Sequence, residues 1–305
     1  LFNLRSSDIV VCQFAGYHSF FPVLLSRWFG KPSLIVAGGT DCVSFPSIRY
    51  GNFNKKYLSW FTRWSFMNAT HITPVHESLV FSEYVYHDND HKFQGVKAFC
   101  PDITTPFTVI PNGYDSGRWQ RVAEPRRGTF ITVTADMGFA FIKALKGIDL
   151  IIEVAPHFPQ CEFIIIGADP DKDLGERSGN VTKIPYVKNE DLSRYYSNAQ
   201  FYLQLSISEG FPNALCEAML CGCVPVVSRV ASMPEIVGES GYILDRRDMG
   251  ELIILLKAAL ADPEAGKRSI MARRQIAGTY TENKRRTGLN TLVRELIEKS
   301  RSGLI

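Results

Sequence analysis

A chain of 305 residues, 45% apolar and 21% charged, has the makeup of a globular protein and can bury one large or two ordinary cores. Lys plus Arg number 34 against 31 Asp plus Glu, and a net charge of +3 makes no electrostatic case for a nucleic-acid partner. No stretch approaches the roughly 20 apolar residues that span a bilayer, and the start, LFNLRSSDIVV, has neither a signal-type apolar core nor an initiator Met. The expectation is a chain that begins within a longer protein or after processing.

Seven cysteines (Cys12, Cys42, Cys100, Cys161, Cys216, Cys221 and Cys223), odd in number and scattered, fit a reducing, cytoplasmic setting. Cys221 and Cys223 flank one glycine, but no second pair or His cluster completes four zinc ligands, so no metal site is expected.

Short β-branched runs alternate with amphipathic stretches along the whole chain, which predicts βα units and parallel sheets. In the first part the strands fall at Asp8–Phe14, Ser33–Gly39, His71–Val75 and Phe107–Ile110. Helices fall at Ser19–Phe29, Asn54–Met67 and Glu77–Tyr84. The polar stretch Arg121–Gly128 with Pro125 reads as a linker. A second domain follows, with strands at Phe130–Ala135, Cys161–Gly167, Thr182–Ile184, Phe201–Leu205 and Val224–Ser228. Its helices are expected at Ile148–Ala155, Asp191–Ser197, Ala214–Cys221 and Glu251–Ala261, and two basic helices, Lys267–Ala277 and Asn283–Ser300, close the chain. No GxGxxG or GxxxxGK[ST] occurs, which demotes dinucleotide and P-loop chemistry.

Ser206 to Ser228 is the most informative stretch. A strand at Phe201–Leu205 delivers Glu209 and Gly210 at its carboxyl end, where open α/β sheets bind ligands. Gly210 lets a ligand approach the backbone. Asn213 is a good N-cap for a helix from Ala214, whose amides and dipole would make an anion site suited to a diphosphate. Glu217, one turn in, has the two acceptor oxygens that a ribose diol requires, which leaves Glu209 for sugar hydroxyls. Two glutamates eight apart also fit a solvated helix face, and on their own would be read so.

With Gly210, Phe211, Pro212, Asn213, Ala218, Met219, Gly222, Pro225 and Val226 around them, the pair resembles the E-x7-E signature of retaining glycosyltransferase family 4. Lys146-Gly147-Ile148-Asp149 looks like that family's KGxD segment. FIIIGAD, Lys188–Ala199, Met233–Leu244, FTVIPNGYD, DIVVCQFAGYH and NATHITPVHES follow in its order and spacing. The resemblance implies a GT-B fold, two Rossmann-like domains facing a cleft: 1–122 on the acceptor side and lacking its first strands, 123–282 for the nucleotide-sugar donor, and 283–305 as a helix packing back on the first domain.

It further implies that Glu209 meets the donor sugar, Glu217 the ribose, and the backbone from Gly210 through Phe211, Pro212, Asn213 and Ala214 to Leu215 the sugar and phosphate, with Val187 a further donor contact. Lys146 would neutralise the leaving diphosphate. The family's arginine after the first donor-domain strand is missing at Thr134-Ala135-Asp136, and Lys143 is the candidate replacement, without the planar fork of Arg. The family's N-domain histidine is replaced by Gly38-Gly39-Thr40-Asp41, which leaves His18 and Asp41 as acceptor-side candidates.

No cofactor is expected. The substrate would be a nucleotide-diphosphate sugar, with UDP or GDP as nucleotide, and the acceptor a glycan or a lipid-linked glycan. The triplet Asp169-Pro170-Asp171 imitates a metal-binding DxD but reads as a turn. Tyr57, Trp60, Phe61 and Trp64 share one helical face, which fits either core packing or a peripheral membrane contact at the inner face of the membrane. Two rivals stay open: a non-catalytic or fragmentary GT-B protein that binds nucleotide sugar without turnover, and a GT-B epimerase that shares the fold but not this motif. If the first domain lacks its opening strands, donor binding without efficient transfer is expected.

Overall fold

The computed structural model describes Leu4 and residues 6–88, 90–134, 140–176 and 178–304. The chain divides into two compact units, one of 1–84, 88–113 and 282–305 and the other of 85–87 and 114–281.

The first unit opens with β1 (Val10–Gln13), α1 (Tyr17–Trp28), β2 (Ser33–Ala37), α2 (Lys56–Asn68) and β3 (His71–Pro74). The three strands form a parallel sheet in the order β1-β2-β3, with Val10 opposite Ser33 and Leu34 opposite His71. All five residues of β2 are buried, as expected of a strand covered on both faces. The strand expected at Phe107–Ile110 is reduced to a single bridge from Phe107 to Ile72, continued by the amides of Thr108 and Ile110 bonding the carbonyls of Ile72 and Pro74, both at 3.0 Å.

The helix expected at Glu77–Tyr84 is absent. A single 3-10 turn, Glu77–Leu79, leads into β4 (Ser82–Glu83), which pairs antiparallel with β5 (Phe93–Gln94) ahead of the short α3 (Val96–Phe99). The Val80 carbonyl, which a helix would give to Tyr84, instead accepts the amide of Lys97 at 2.9 Å. The Tyr84 amide, the other half of that helical bond, donates across the hairpin to the Lys92 carbonyl at 2.7 Å.

The second unit runs β6 (Arg126–Val133), α4 (Ala140–Leu145), α5 (Ile148–Val154), β7 (Glu162–Ile166), β8 (Val181–Ile184), α6 (Leu192–Asn198), β9 (Ala199–Gln204), α7 (Asn213–Leu220), β10 (Val224–Ser228), α8 (Met233–Val237), β11 (Tyr242–Leu244), α9 (Met249–Ala261) and α10 (Ala265–Thr279). Its six strands are parallel in the order β11-β10-β9-β6-β7-β8. From β6 the chain winds outward through β7 and β8, then crosses to β9 and winds the other way, so the switch point lies between β6 and β9. Phe130, Phe163 and Phe201 stack across the three central strands with centroids 4.9 Å apart, and all are fully buried. Such rings add about 1 kcal/mol per pair beyond their burial.

The stretch read as a linker is part of this unit. Trp119 is buried against Tyr196, the Val122 amide bonds the Ser197 hydroxyl at 3.0 Å, and β6 already begins at Arg126. The partition therefore falls between Gly113 and Tyr114 rather than at 122/123. Charge and proline made the segment look solvated, while Trp119 just before it and the Val122 amide within it anchor it to α6.

The last helix, α11 (Glu282–Arg301), belongs to the first unit. Leu292 and Leu296 pack with Leu34 and Ile110, and Arg285 donates to the carbonyls of Ile110 and Pro111 at 3.1 and 2.9 Å. Among the described residues no helix is long and apolar enough to cross a membrane.

Candidate functional site

The carboxyl end of β9 lies beside the switch point, and a polar network starts there. Gln204, the last strand residue, donates to Glu209 Oε1 at 2.9 Å, and the Ser206 hydroxyl donates to the same oxygen at 2.8 Å. Lys146 Nζ completes the set at 2.6 Å. Three donors thus converge on one carboxylate oxygen that is largely withdrawn from solvent, and the pair is a charge-assisted bond in a low-dielectric setting.

Lys146 reaches Glu209 because of the glycine that follows it. Gly147 has φ 67, a left-handed conformation, and a Cβ there would stand 2.1 Å from the Leu205 carbonyl oxygen. Only glycine lets the α4–α5 corner touch the end of β9 this closely. The Ile207 amide bonds the Leu145 carbonyl at 2.9 Å and fastens the same corner. Asp149 of the KGxD segment pairs with Arg247 at 2.5 Å, and the Arg247 amide bonds the Tyr86 carbonyl at 2.8 Å.

α7 begins one residue earlier than expected. Pro212, at φ −73, is its N-cap, and Asn213 is its first residue rather than its cap. The Asn213 side-chain oxygen instead accepts the Tyr114 hydroxyl at 2.8 Å. Amides of a helical first turn still point out of its amino end, toward the Glu209 loop, with the positive end of the dipole. Gly210 is buried, with its carbonyl held by the Ser232 hydroxyl at 2.8 Å. Phe211 packs between Tyr114 and Tyr280, and Leu215 is fully buried, so these two turn their side chains to the core. From Phe211 and Leu215, only the backbone faces outward chemistry.

Glu217 lies one turn into α7 and is half-buried. Burial pushes its carboxyl up to about 7, against the pull of the Arg118 guanidinium and the Tyr196 hydroxyl. A carboxyl poised there is the kind of perturbed group that gathers at binding sites.

The remaining candidates separate. Lys143, on α4, spends its ammonium on the Leu174 carbonyl at 2.5 Å and lines a cavity of about 500 Å³ with Asp149, Glu153 and His157, so the structure does not join it to Lys146 and Glu209. The strand end where an arginine was sought, 135–139, lies outside the described residues. Val187 follows β8 and lines a hollow of about 490 Å³ with Tyr186, Asp191 and Tyr195. Asp169 accepts the Asp171 amide at 3.0 Å, which closes that triplet as a turn. Among the described residues no group of three or more His, Cys, Asp or Glu could hold a metal ion.

In the first unit, His18 Nε2 sits 2.8 and 3.1 Å from the carbonyls of Gln13 and Phe14 and holds the β1–α1 turn. Asp41 is buried and accepts the amides of Ala15, Gly38 and Gly39 at 3.0, 3.2 and 3.1 Å. Burial pushes its carboxyl above the ordinary range, and those amides oppose the shift. Both are framework residues of turns at strand carboxyl ends.

Gln204, Ser206, Tyr114 and Arg118 were missed from the sequence. The signal for the first two was polar residues closing an otherwise apolar strand, QLS after FYL.

Residues 137–262 match the family described as "Glycosyl transferases group 1". The chain is 36% identical over 88 residues to the O-antigen chain mannosyltransferase B of Escherichia coli, covering 29% of this chain and 23% of that protein. It is 24% identical over 259 residues to the GDP-mannose:cellobiosyl-diphosphopolyprenol alpha-mannosyltransferase of Xanthomonas oryzae, covering 80% of this chain and 62% of that one. It thus spans less than two thirds of the length of either relative. The fold is similar to that of sucrose-phosphate synthase from Thermosynechococcus elongatus, with a TM-score of 0.74 at 16% identity over 96% of this chain and 74% of that one. The match to the glycosyl transferases group 1 family thus lies within the second unit, while the likeness of fold to a GT-B structure extends over nearly the whole chain.

Proposed function

We propose that this chain is part of a retaining, metal-independent glycosyltransferase that moves a sugar from a nucleotide-diphosphate sugar, with UDP or GDP as nucleotide, to a glycan or lipid-linked acceptor in surface polysaccharide synthesis. The observation that carries the reading is the Lys146–Glu209 pair at 2.6 Å, at the carboxyl end of β9 and ahead of the amino end of α7. Glu209 presents its second oxygen to sugar hydroxyls, Lys146 and the first turn of α7 hold the diphosphate, and Glu217 binds the ribose diol.

Transfer then needs no enzymic base. The bond from the anomeric carbon to the diphosphate oxygen breaks, the acceptor oxygen bonds the same face, and its proton passes to the leaving phosphate oxygen. The protein supplies position and charge stabilisation. The names of the Escherichia coli and Xanthomonas relatives support a mannosyl-type donor and a diphosphopolyprenol-linked acceptor. Seven free cysteines support a reducing, cytoplasmic setting.

A ligand that binds only the folded form raises its stability, so UDP or GDP sugars should raise the unfolding temperature while NAD does not. Protection by NAD alone would overturn the donor assignment. An inverted anomeric configuration in the product, read by proton NMR, would overturn retention, and loss of transfer with a chelator would overturn metal independence.

A further inference from the structure

The helices α1 and α2 are inverted relative to ordinary surface helices. Beside Val23 and Phe66, their inward faces carry small hydroxyl residues: Ser19, Ser26, Thr62 and Ser65 are all fully buried. The Ser19 and Ser65 hydroxyls bond each other at 2.9 Å between the helices. Apart from Phe66, the aromatic residues of the two helices are exposed or half-buried. Along α1, Tyr17, Phe21, Leu24 and Trp28 follow the i, i+4, i+7, i+11 spacing of one stripe, with Phe21 63% and Trp28 80% exposed. Along α2, Tyr57, Trp60, Trp64 and Met67 form a second stripe, with Tyr57 73% and Trp60 55% exposed.

The two stripes merge into one face. Phe20 meets Trp60, Phe61 and Trp64 with ring centroids 5.7, 4.9 and 4.6 Å apart, and Tyr17 meets Phe61 at 5.0 Å. A contiguous exposed aromatic face marks a surface with an apolar partner. The charges around it say which. Between Ile9 and His76 there are six Lys and Arg but one carboxylate, the buried Asp41. Lys55 and Lys56 are exposed at the start of α2, and Arg27 is exposed at the end of α1. Asp8, just before this stretch, is paired with Arg301 at 3.0 Å.

From this we propose that the outward face of α1 and α2 docks on an anionic lipid surface. Trp and Tyr are the residues that settle at a headgroup boundary, and exposed cations beside them are drawn to a negative leaflet. A second copy of the chain fits less well. A symmetric contact would bring the same cations of both copies together without a carboxylate to meet them. The docking does not depend on sugar transfer, and its test reads no activity.

Flotation with vesicles of phosphatidylcholine alone, and of phosphatidylcholine mixed with phosphatidylglycerol, measures it directly. The 305-residue chain should float with the mixed vesicles, much less with the neutral ones, and less as salt rises. Three of the four tryptophans, Trp28, Trp60 and Trp64, lie on these helices, so emission should shift to the blue on binding. Phe21→Ser combined with Trp60→Ser should weaken binding at least roughly tenfold. Lys55→Gln with Lys56→Gln should weaken it roughly thirtyfold for mixed vesicles only. Thermal unfolding of each variant separates lost binding from lost folding, and the lysine pair, exposed at the start of α2, keeps the test open if the aromatic pair unfolds. No flotation of the unaltered chain, or flotation indifferent to lipid charge and to Phe21 and Trp60, would overturn the proposal. So would self-association by sedimentation that the aromatic variant abolishes in the absence of vesicle binding.

Discussion

Lys146 Nζ sits 2.6 Å from Glu209 Oε1 across 63 residues of sequence, and the same oxygen also accepts from Gln204 and Ser206. The ammonium and the carboxylate therefore hold each other in place before any donor arrives. Removing one partner leaves the other desolvated and unpaired. Lys146→Ala should lower kcat about a hundredfold to a thousandfold, since a cation at a developing phosphate charge acts mainly in the transition state. Glu209→Ala should leave affinity for the free nucleoside diphosphate within about threefold, and reduce discrimination between sugars on one nucleotide. Glu217→Ala should weaken the free diphosphate itself. Calorimetric titration with UDP and GDP compares the variants, and equal losses at Glu209 and Glu217 would contradict their assignment to opposite ends of the donor.

Gly147 tests the geometry behind that pair. An alanine there combines a φ of 67 with a Cβ placed 2.1 Å from the Leu205 carbonyl oxygen. The backbone must move, at a cost of about 2 to 4 kcal/mol. The second unit should melt roughly 5 to 15 °C lower, with donor protection lost as well because Lys146 moves with the corner. An unshifted melting temperature would mean that the corner is slack.

The pH dependence follows from Glu217, whose carboxyl is pushed up from 4.5 to about 7 by burial. Between those values the folded state binds more protons than the unfolded one, so this group's contribution to stability falls as pH rises through the window and is constant above it. Glu217→Gln should flatten that part of the stability curve, measured by urea unfolding at a series of pH values. Ribose hydroxyls need the ionised carboxylate as acceptor. Nucleotide affinity should accordingly rise about tenfold between about pH 6 and pH 8 in the unaltered chain, and not in Glu217→Gln. A flat affinity profile would remove Glu217 from the ribose.

Much of this was legible in the residues because it is carried by local pattern. The apolar strands β6, β7, β9 and β10 and the helix holding Glu217 lie where periodicity put them, and KGxD and E-x7-E fell on the two loops that the fold joins. What was not legible depends on contacts distant in sequence. Nothing near Asn213 announces that Tyr114 takes its side chain and leaves Pro212 as the cap. Nothing near Lys143 announces the Leu174 carbonyl. The helix expected at Glu77–Tyr84 failed for the same reason, since its competitor is a hairpin partner beyond the window that periodicity samples. The outward aromatic stripes on α1 and α2 show the converse. Their spacing was visible, but spacing does not say which way a face points.

Asp41 separates a framework role from a substrate role in the first unit. Its carboxylate fastens the turn after β1 to the end of β2 through the amides of Ala15, Gly38 and Gly39. Two unusual features meet under that clasp. Phe14 has φ 65, a conformation disfavoured for a bulky residue, and its ring lies so close to Gly38 that a Cβ there would stand 2.1 Å from Phe14 Cε1. Such strain persists only where the surroundings over-determine it. Asp41→Ala would leave three amides without their acceptor and should destabilise the first unit by about 3 kcal/mol or more. Asp41→Asn keeps one acceptor oxygen where the carboxylate offered two, so it should lose roughly half as much. Because the second unit holds Lys146, Glu209 and Glu217, nucleotide affinity should stay within about threefold in both variants. Differential scanning calorimetry with and without UDP or GDP reads both effects. A stable Asp41→Ala variant that binds donor but transfers no sugar would instead return Asp41 to the acceptor side.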